Sequence, residues 1–233
     1  MAQSQWKAVL GVNMIRKNKL KLFLGVIACL AILAGEGLAQ NAKDIVKNVR
    51  KKYEKLASFE ADFVQTSVWA LAGEEQKEGG RLALGEKNKY RIETDTQLII
   101  SDGNRVWTYS KERNQVILDL LTKSKEHQLP KDILLKYTEN SRVELLGESV
   151  IGGTPCFELK FTPKDEDAFI MSTKLWVDKN KLVTLRIEQE DINENITRYD
   201  LEKIKMNPPL ENALFSFTIP ADAEVIDLSD LNK

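Results

Sequence analysis

Histidine and cysteine are nearly absent from this chain, which carries one of the former and two of the latter. That scarcity removes whole classes of function. A Cys/His zinc cluster needs more ligands than the sequence has, and no pair of cysteines survives in the part downstream of residue 39 to form an internal disulfide. No Gly-x-Ser-x-Gly elbow and no phosphate-binding Gly-rich loop is present. An excess of basic charge is missing too: 34 basic residues face 35 acidic ones, so the electrostatic footprint of a nucleic-acid binder is not there. No apolar run is long enough to span a bilayer. The longest, Leu22–Ala34, has 13 residues, against the roughly 20 that a membrane helix requires.

The few residues that could carry chemistry read more simply as structure. His127 stands beside Gln128-Leu129-Pro130, where a surface or capping role is expected. Cys156 falls within an alternating strand and reads as a packing residue. Asp191-Ile192-Asn193-Glu194-Asn195 imitates the start of a calcium loop but has Ile196 where the glycine belongs, which favours a solvated hairpin turn. Lys164-Asp165-Glu166-Asp167 is a charged loop. The sequence therefore calls for no catalytic residue, no metal and no cofactor.

What is present begins with an address. Arg16, Lys17, Lys19 and Lys21 precede the apolar run, and Gly37-Leu38-Ala39 follows it. This is the basic, apolar and small-residue order of a secretory signal peptide, with cleavage expected after Ala39. Met14 would serve as a start, making 1–13 an upstream extension. Val26-Ile27-Ala28-Cys29 loosely matches a lipoprotein acylation site, but the apolar run continues past Cys29. Removing 1–39 takes away five basic residues and one acidic, leaving 29 and 34 and a net charge of about −5. The expected organisation is an extension plus signal peptide over 1–39 and a single exported domain over 40–233.

The mature part opens with a helical pattern over Asn41–Ala57, in which Ile45, Val46, Val49, Tyr53 and Leu56 share one face. The period then changes to two: Phe59, Ala61, Phe63 and Gln65 alternate with Glu60, Asp62, Val64 and Thr66. A charged loop is expected over Gly73–Gly80, ahead of Leu82 and Leu84, and a turn over Gly85–Asn88 leads to Tyr90 and Ile92. Gln97–Leu120 reads as a three-stranded meander around Ser-Asp-Gly-Asn and Lys111–Asn114, with one apolar face. Between Ser124 and Asn140, Ile133, Leu134, Leu135 and Tyr137 fall at helical spacing behind Pro130, which suits a first turn; this predicts a short amphipathic helix over the sheet. Strands resume at Arg142–Val150, Cys156–Thr162, Phe169–Val177, Leu182–Glu190, Glu194–Lys205 and near Phe215–Ile219. Ten or eleven strands at regular spacing predict one large, curling antiparallel sheet.

Such a sheet must bury its apolar face. Phe63, Leu84, Tyr90, Trp107, Leu118 and Trp176 would be either plain core or the lining of a cavity suited to an acyl chain. The mature chain resembles the periplasmic outer-membrane lipoprotein carrier (LolA) family along nearly its whole length. The resemblance rests on Phe59-Glu60-Ala61-Asp62-Phe63-Val64-Gln65, Gly80-Arg81-Leu82, Ser101-Asp102-Gly103 with Val106-Trp107-Thr108-Tyr109, Leu159-Lys160-Phe161-Thr162-Pro163, and Phe215-Ser216-Phe217-Thr218-Ile219-Pro220. It implies an incomplete, curved antiparallel β-barrel closed by an N-terminal helix and a lid helix, with an apolar interior for the acyl chains of lipoproteins. It also implies a non-enzymatic, monomeric carrier that moves lipoproteins from the inner to the outer membrane. Its partners would be an inner-membrane ATP-driven release complex and an outer-membrane receptor lipoprotein. On this reading Tyr53, Phe63, Leu82, Leu84, Tyr90, Ile92, Trp107, Leu118 and Trp176 line the cavity, and Ile133, Leu134 and Leu135 gate it. One feature departs from the family, whose Arg-Pro pair before the strand of Tyr90 latches the lid. Glu86-Lys87 stands here, so Lys87 or Arg91 would have to substitute without an arginine fork in the same place. Two rivals use the same scaffold: an envelope sensor of lipid or lipoprotein, and a membrane-anchored receptor if Cys29 is acylated.

Overall fold

The structure is a computed structural model and describes residues 41–121 and 140–229. Among the described residues it has one α-helix, α1, over 41–54, and twelve strands. The strands are β1 Phe59–Trp69, β2 Glu74–Leu84, β3 Lys89–Thr94, β4 Gln97–Asp102, β5 Arg105–Ser110, β6 Gln115–Leu120, β7 Ser141–Ile151, β8 Thr154–Pro163, β9 Ile170–Asp178, β10 Thr184–Asp191, β11 Ile196–Met206 and β12 Glu224–Asp227. All belong to one sheet in the order β12-β6-β5-β4-β3-β2-β1-β11-β10-β9-β8-β7. No pairing joins β12 to β7, so this sheet stays open.

The period-3.6 stripe of α1 packs onto the sheet. Ala42, Ile45, Val49 and Tyr53 form one cluster with Phe59 and Ala61 of β1, Leu159 and Phe161 of β8, Leu175 and Val177 of β9 and Ile187 of β10. Strands β8 and β1 are four steps apart in the order, about 19 Å if the sheet were flat. A helix is only about 10–12 Å across. Both strands meet it because the sheet curls around it. The face towards α1 is the inner face.

Two expectations fail for identifiable reasons. Glu74–Gly80 is not a loop but the first half of β2, paired residue for residue with β1 from Trp69↔Glu74 to Phe63↔Gly80. Its side chains are largely exposed, so no hydrophobic alternation marks it. Its backbone is fixed by the ladder that the eleven-residue β1 offers. Phe215–Ile219 is not a strand either. A single 3₁₀ turn over Asn212–Phe215 is followed by irregular chain, and β12 then pairs with β6 in parallel. The strand count is therefore twelve, and one pairing of the sheet is not antiparallel.

That C-terminal segment is a strap across the outer face of β3–β6. Phe215 is buried against Gly85, where an added Cβ would lie 2.9 Å from the ring. The Phe217 ring meets Tyr109 at 5.8 Å. Asn212 accepts a hydrogen bond from Lys89 Nζ, and Asn114 Nδ2 donates to the Asp222 carbonyl. Phe215 and Phe217 are spent on packing as single knobs rather than on a ladder.

Candidate functional site

Register decides which side chains can share a site. Along the pairings Phe59↔Leu84, Ala61↔Leu82, Leu82↔Ile92, Leu84↔Tyr90 and Tyr90↔Ser101, successive partners stay on the inner face. Ser101↔Val106 and Ile92↔Ile99↔Thr108↔Ile117 continue it. Phe63, Leu82, Leu84, Tyr90 and Ile92 are therefore on the side of α1, together with Ile99, Val106 and Ile117, which the sequence reading missed. The signal was available: the two-residue turn Asp95-Thr96 pairs Thr94 with Gln97, and counting back from it sets Ile92 opposite Ile99.

Trp107, Leu118 and Trp176 lie on the other face, which overturns the expectation of one shared apolar face. Trp107 pairs with Ile100 and Leu118, on the face that also carries Tyr109. Trp176 pairs with Glu158 and Arg186, and the Arg186 guanidinium lies 5.6 Å from its ring centroid. For Trp107 and Leu118 the physical reason is that β3–β6 is apolar on both sides. One side is the inner face, with Tyr90, Ile92, Ile99 and Val106, and the other is crossed by the strap with Phe215 and Phe217, so apolar residues no longer alternate with polar ones.

At one end of the inner face α1 stops. The Tyr53 side chain is 2% exposed. Its hydroxyl accepts the Thr184 backbone N–H at 3.1 Å, tying the helix end to β10, and its ring sits 6.2 Å from that of Phe59. Burial pushes the Tyr53 phenol above its ordinary pKa. Between this helix end, the start of β1 and the β2–β3 turn lies a cleft of about 200 Å³, bounded by Tyr53, Leu56, Phe59, Leu84, Lys87 and Tyr90 among others. Tyr90 is 3% exposed, and desolvation raises its pKa to about 12, so its phenol is neutral at any physiological pH.

The β2–β3 turn explains the departure at Glu86-Lys87. Lys89 N–H donates to the Glu86 carbonyl, with Lys87 at φ +55° and Asn88 at φ +61°. Two left-handed residues in succession make a type I′ turn, and proline, locked near φ −65°, cannot stand at 87. The turn leans on the next one. Gly103 has φ +97°, and a Cβ there would lie 2.4 Å from the Lys87 carbonyl oxygen. Asp102 Oδ1 accepts the N–H groups of Asn104 and Arg105 at 2.8 Å each, and Ser101 Oγ accepts that of Gly103. The Ser-Asp-Gly motif is thus a self-satisfied turn that buttresses the mouth of the cleft. Lys87 borders that mouth. Arg91 does not: it lies on the outer face with its guanidinium 2.8 Å from Glu93.

The remaining candidates fall elsewhere. Ile133, Leu134, Leu135 and His127 are outside the described residues, as is Cys29. Cys156 is buried, its Sγ donates to the Thr154 carbonyl, and burial pushes its thiol pKa up. The Asp191 carboxylate accepts from Asn193 N–H, Asn195 N–H and Asn195 Nδ2, so a hairpin turn uses up the would-be calcium ligand. Among the described residues no group of three or more His, Cys, Asp or Glu is placed to hold a metal, and no helix is long and apolar enough to cross a membrane.

Comparison with known proteins gives consistent relatives. An uncharacterized protein of Methanocaldococcus jannaschii is 26% identical over 196 residues, 83% of this chain and 56% of its own length; the chain spans little more than half of that relative. The outer-membrane lipoprotein carrier protein of Shewanella woodyi is 27% identical over 183 residues, 77% of this chain and 84% of its own. The crystal structure of an uncharacterized conserved protein from Thermus thermophilus shares the fold, with a TM-score of 0.54 at 16% identity over 80% of this chain and 99% of that one. The family model for outer membrane lipoprotein carrier protein LolA matches residues 54–218. The chain belongs to the LolA family.

Proposed function

We propose that this protein is a periplasmic carrier, which shields the acyl chains of a lipoprotein on its inner face and moves them from the inner to the outer membrane. The observation that carries the reading is the apolar inner face of β2–β6, where Leu82, Leu84, Tyr90, Ile92, Ile99 and Val106 run together and end at the cleft beside α1. Shielding is what such a cargo needs: about fifteen methylenes cost roughly 12 kcal/mol to leave in water, at about 0.8 kcal/mol each. Family membership supports the same function and a carrier rather than an enzyme.

The cleft, at about 200 Å³, is smaller than the roughly 300–1,000 Å³ of small-molecule sites. An acyl chain therefore enters by displacing what packs over the inner face, and affinity is set by the balance between a closed and an open state. Residues 133–135 are the proposed gate. Lys87, at the mouth, is the proposed replacement for the family's latching arginine. An inner-membrane ATP-driven release complex would supply cargo and an outer-membrane receptor lipoprotein would accept it.

Native mass spectrometry of the mature protein from its own envelope tests this, with the N-terminus read in the same run. The expected species starts near Gln40 and carries acylated protein or lipid. A lipid-free protein that also takes up no lipoprotein from membranes would refute the carrier and favour an envelope sensor. A diacylglyceryl mass on Cys29 would make the protein an anchored receptor instead.

A further inference from the structure

Nine large apolar side chains stand exposed among the described residues, and five of them gather at one end of the sheet: Trp69, Leu71, Phe169, Met171 and Ile192. Leu71 is wholly exposed at 102%, Ile192 at 61% and Phe169 at 60%. Single exposed apolar residues are ordinary, but clustered ones mark an interaction surface. The tips that carry these five are stitched together. Ala70 N–H donates to Asn195 Oδ1 at 3.2 Å, and Ile192 N–H donates to the Phe169 carbonyl at 2.9 Å. Trp69 and Leu71 border a groove whose other wall includes Asn193 and Asn195.

This rim is not the mouth of the cleft. β1 runs from Phe59, at the cleft, to Trp69, at the rim, about 33 Å for ten steps of roughly 3.3 Å. The charge around it has one dominant sign. Glu74 follows the first tip, Asp165, Glu166 and Asp167 lie in the second, and Glu194 lies in the third. Lys164 is the one cation in these three connections, and the nearby Lys77 is paired with Glu75 at 2.7 Å.

That collar discriminates between occupants. An anionic lipid surface is repelled by it. A second copy packed face to face would set carboxylates against carboxylates. We infer that the rim docks a partner protein through a basic segment bearing large apolar side chains, the apolar groups seated on Leu71 and Ile192 and the cations on the surrounding carboxylates. The inference does not rest on the acyl-chain reading, because the rim is remote from the cleft and its test detects no lipid cargo.

The test places a photo-crosslinking amino acid at position 71, and separately at 192, in the full chain expressed in its own cells. Lys47, on the exposed face of α1, is the control position. The expected result is a discrete protein adduct from 71 and 192 and none from 47, with the cross-linked peptide sequenced and found to be basic and rich in large apolar residues. Glu74→Lys with Glu166→Lys lowers the yield by about tenfold, as two attractive contacts become repulsive, while the circular dichroism and melting temperature stay those of the parent. Adducts only to lipid, to a second copy of this chain or to an acidic segment would overturn the inference. So would the absence of any adduct, or a yield that ignores the charge reversal.

Discussion

Gly79 and Gly80 are neighbours in β2, yet alanine should affect them with opposite sign. Gly80 pairs with Phe63 on the inner face, and the Phe63 ring lies across it. A Cβ at 80 would stand 2.4 and 2.7 Å from two ring carbons and 2.8 Å from the Glu93 carbonyl oxygen. The ring can rotate away at a cost, but the Glu93 carbonyl is held in the β2–β3 ladder. Overpacking of this kind costs about 1–3 kcal/mol. At Gly79 the nearest atom to an added Cβ is the Phe63 carbonyl oxygen at 4.0 Å, an ordinary contact, so alanine fits without a clash and gains roughly 0.4–1 kcal/mol by restricting the unfolded chain. The two variants should therefore differ by about 2 kcal/mol, or about 4–8 °C in melting temperature for a domain of this size. Urea and thermal unfolding of residues 40–233, followed by circular dichroism, would measure both. In a Phe63→Leu background the penalty of Gly80→Ala should shrink as the ring clash is removed, a coupling of about 1 kcal/mol. A Gly80→Ala protein as stable as Gly79→Ala would refute the assignment of Phe63 and Gly80 to the inner face, and with it the register from which the site is built.

Three further outcomes follow from the geometry. Tyr53→Phe leaves the buried Thr184 N–H without its acceptor and should cost about 1–3 kcal/mol, read as a lowered urea midpoint; no change would mean that the helix end is held by packing alone. Leu84→Trp should fill the cleft and lower uptake of a fluorescent acyl probe by about tenfold with the fold intact, whereas undiminished uptake would place the acyl path elsewhere. Asp62 accepts a hydrogen bond from Lys203 Nζ at 2.8 Å and faces Arg81, and the Lys203 bond, with its charge and that of Arg81, holds the Asp62 pKa below the usual carboxylate value. Its contribution is complete above the unfolded pKa, about 4, and is lost as pH falls through the lowered folded value. Asp62→Asn should therefore flatten the acid limb of stability measured by urea midpoint against pH, and the effect should fade in high salt because the ion pair is exposed. An unchanged acid limb would show the triad to be without weight.

Much of the fold was legible because periodicity and turn chemistry agree locally. The change from period 3.6 in α1 to period 2 at Phe59 separates helix from sheet, and Ser101-Asp102-Gly103 marks a turn whose glycine has the positive φ that the motif needs. The polar half of β2 was illegible because it is a strand only by virtue of the ladder beside it. The strap was illegible for the opposite reason: Phe215, Phe217 and Ile219 alternate like a strand, yet two of them serve as knobs on the outer face. The face of Trp107 could not be assigned by hydrophobicity, since β5 carries apolar residues on both faces, Val106 on one and Trp107 and Tyr109 on the other. Only the pairing register separates it from Tyr90.

The helix-then-strand order, the turns, the scarcity of metal-binding and nucleophilic residues, and the pattern that joins the chain to its family were all written in the linear chain. These are local properties, set within a few residues by φ preference, side-chain period and residue chemistry. Which apolar residues meet is a matter of tertiary structure. Short turns propagate register from strand to strand, so Leu84 and Tyr90 arrive beside Tyr53 while Trp107, Leu118 and Trp176 are carried to the far side. What stays uncovered is decided at the same level. Phe169 and Ile192 stand far along the chain from Leu71, and only the antiparallel return of the strands brings their three tips to one rim.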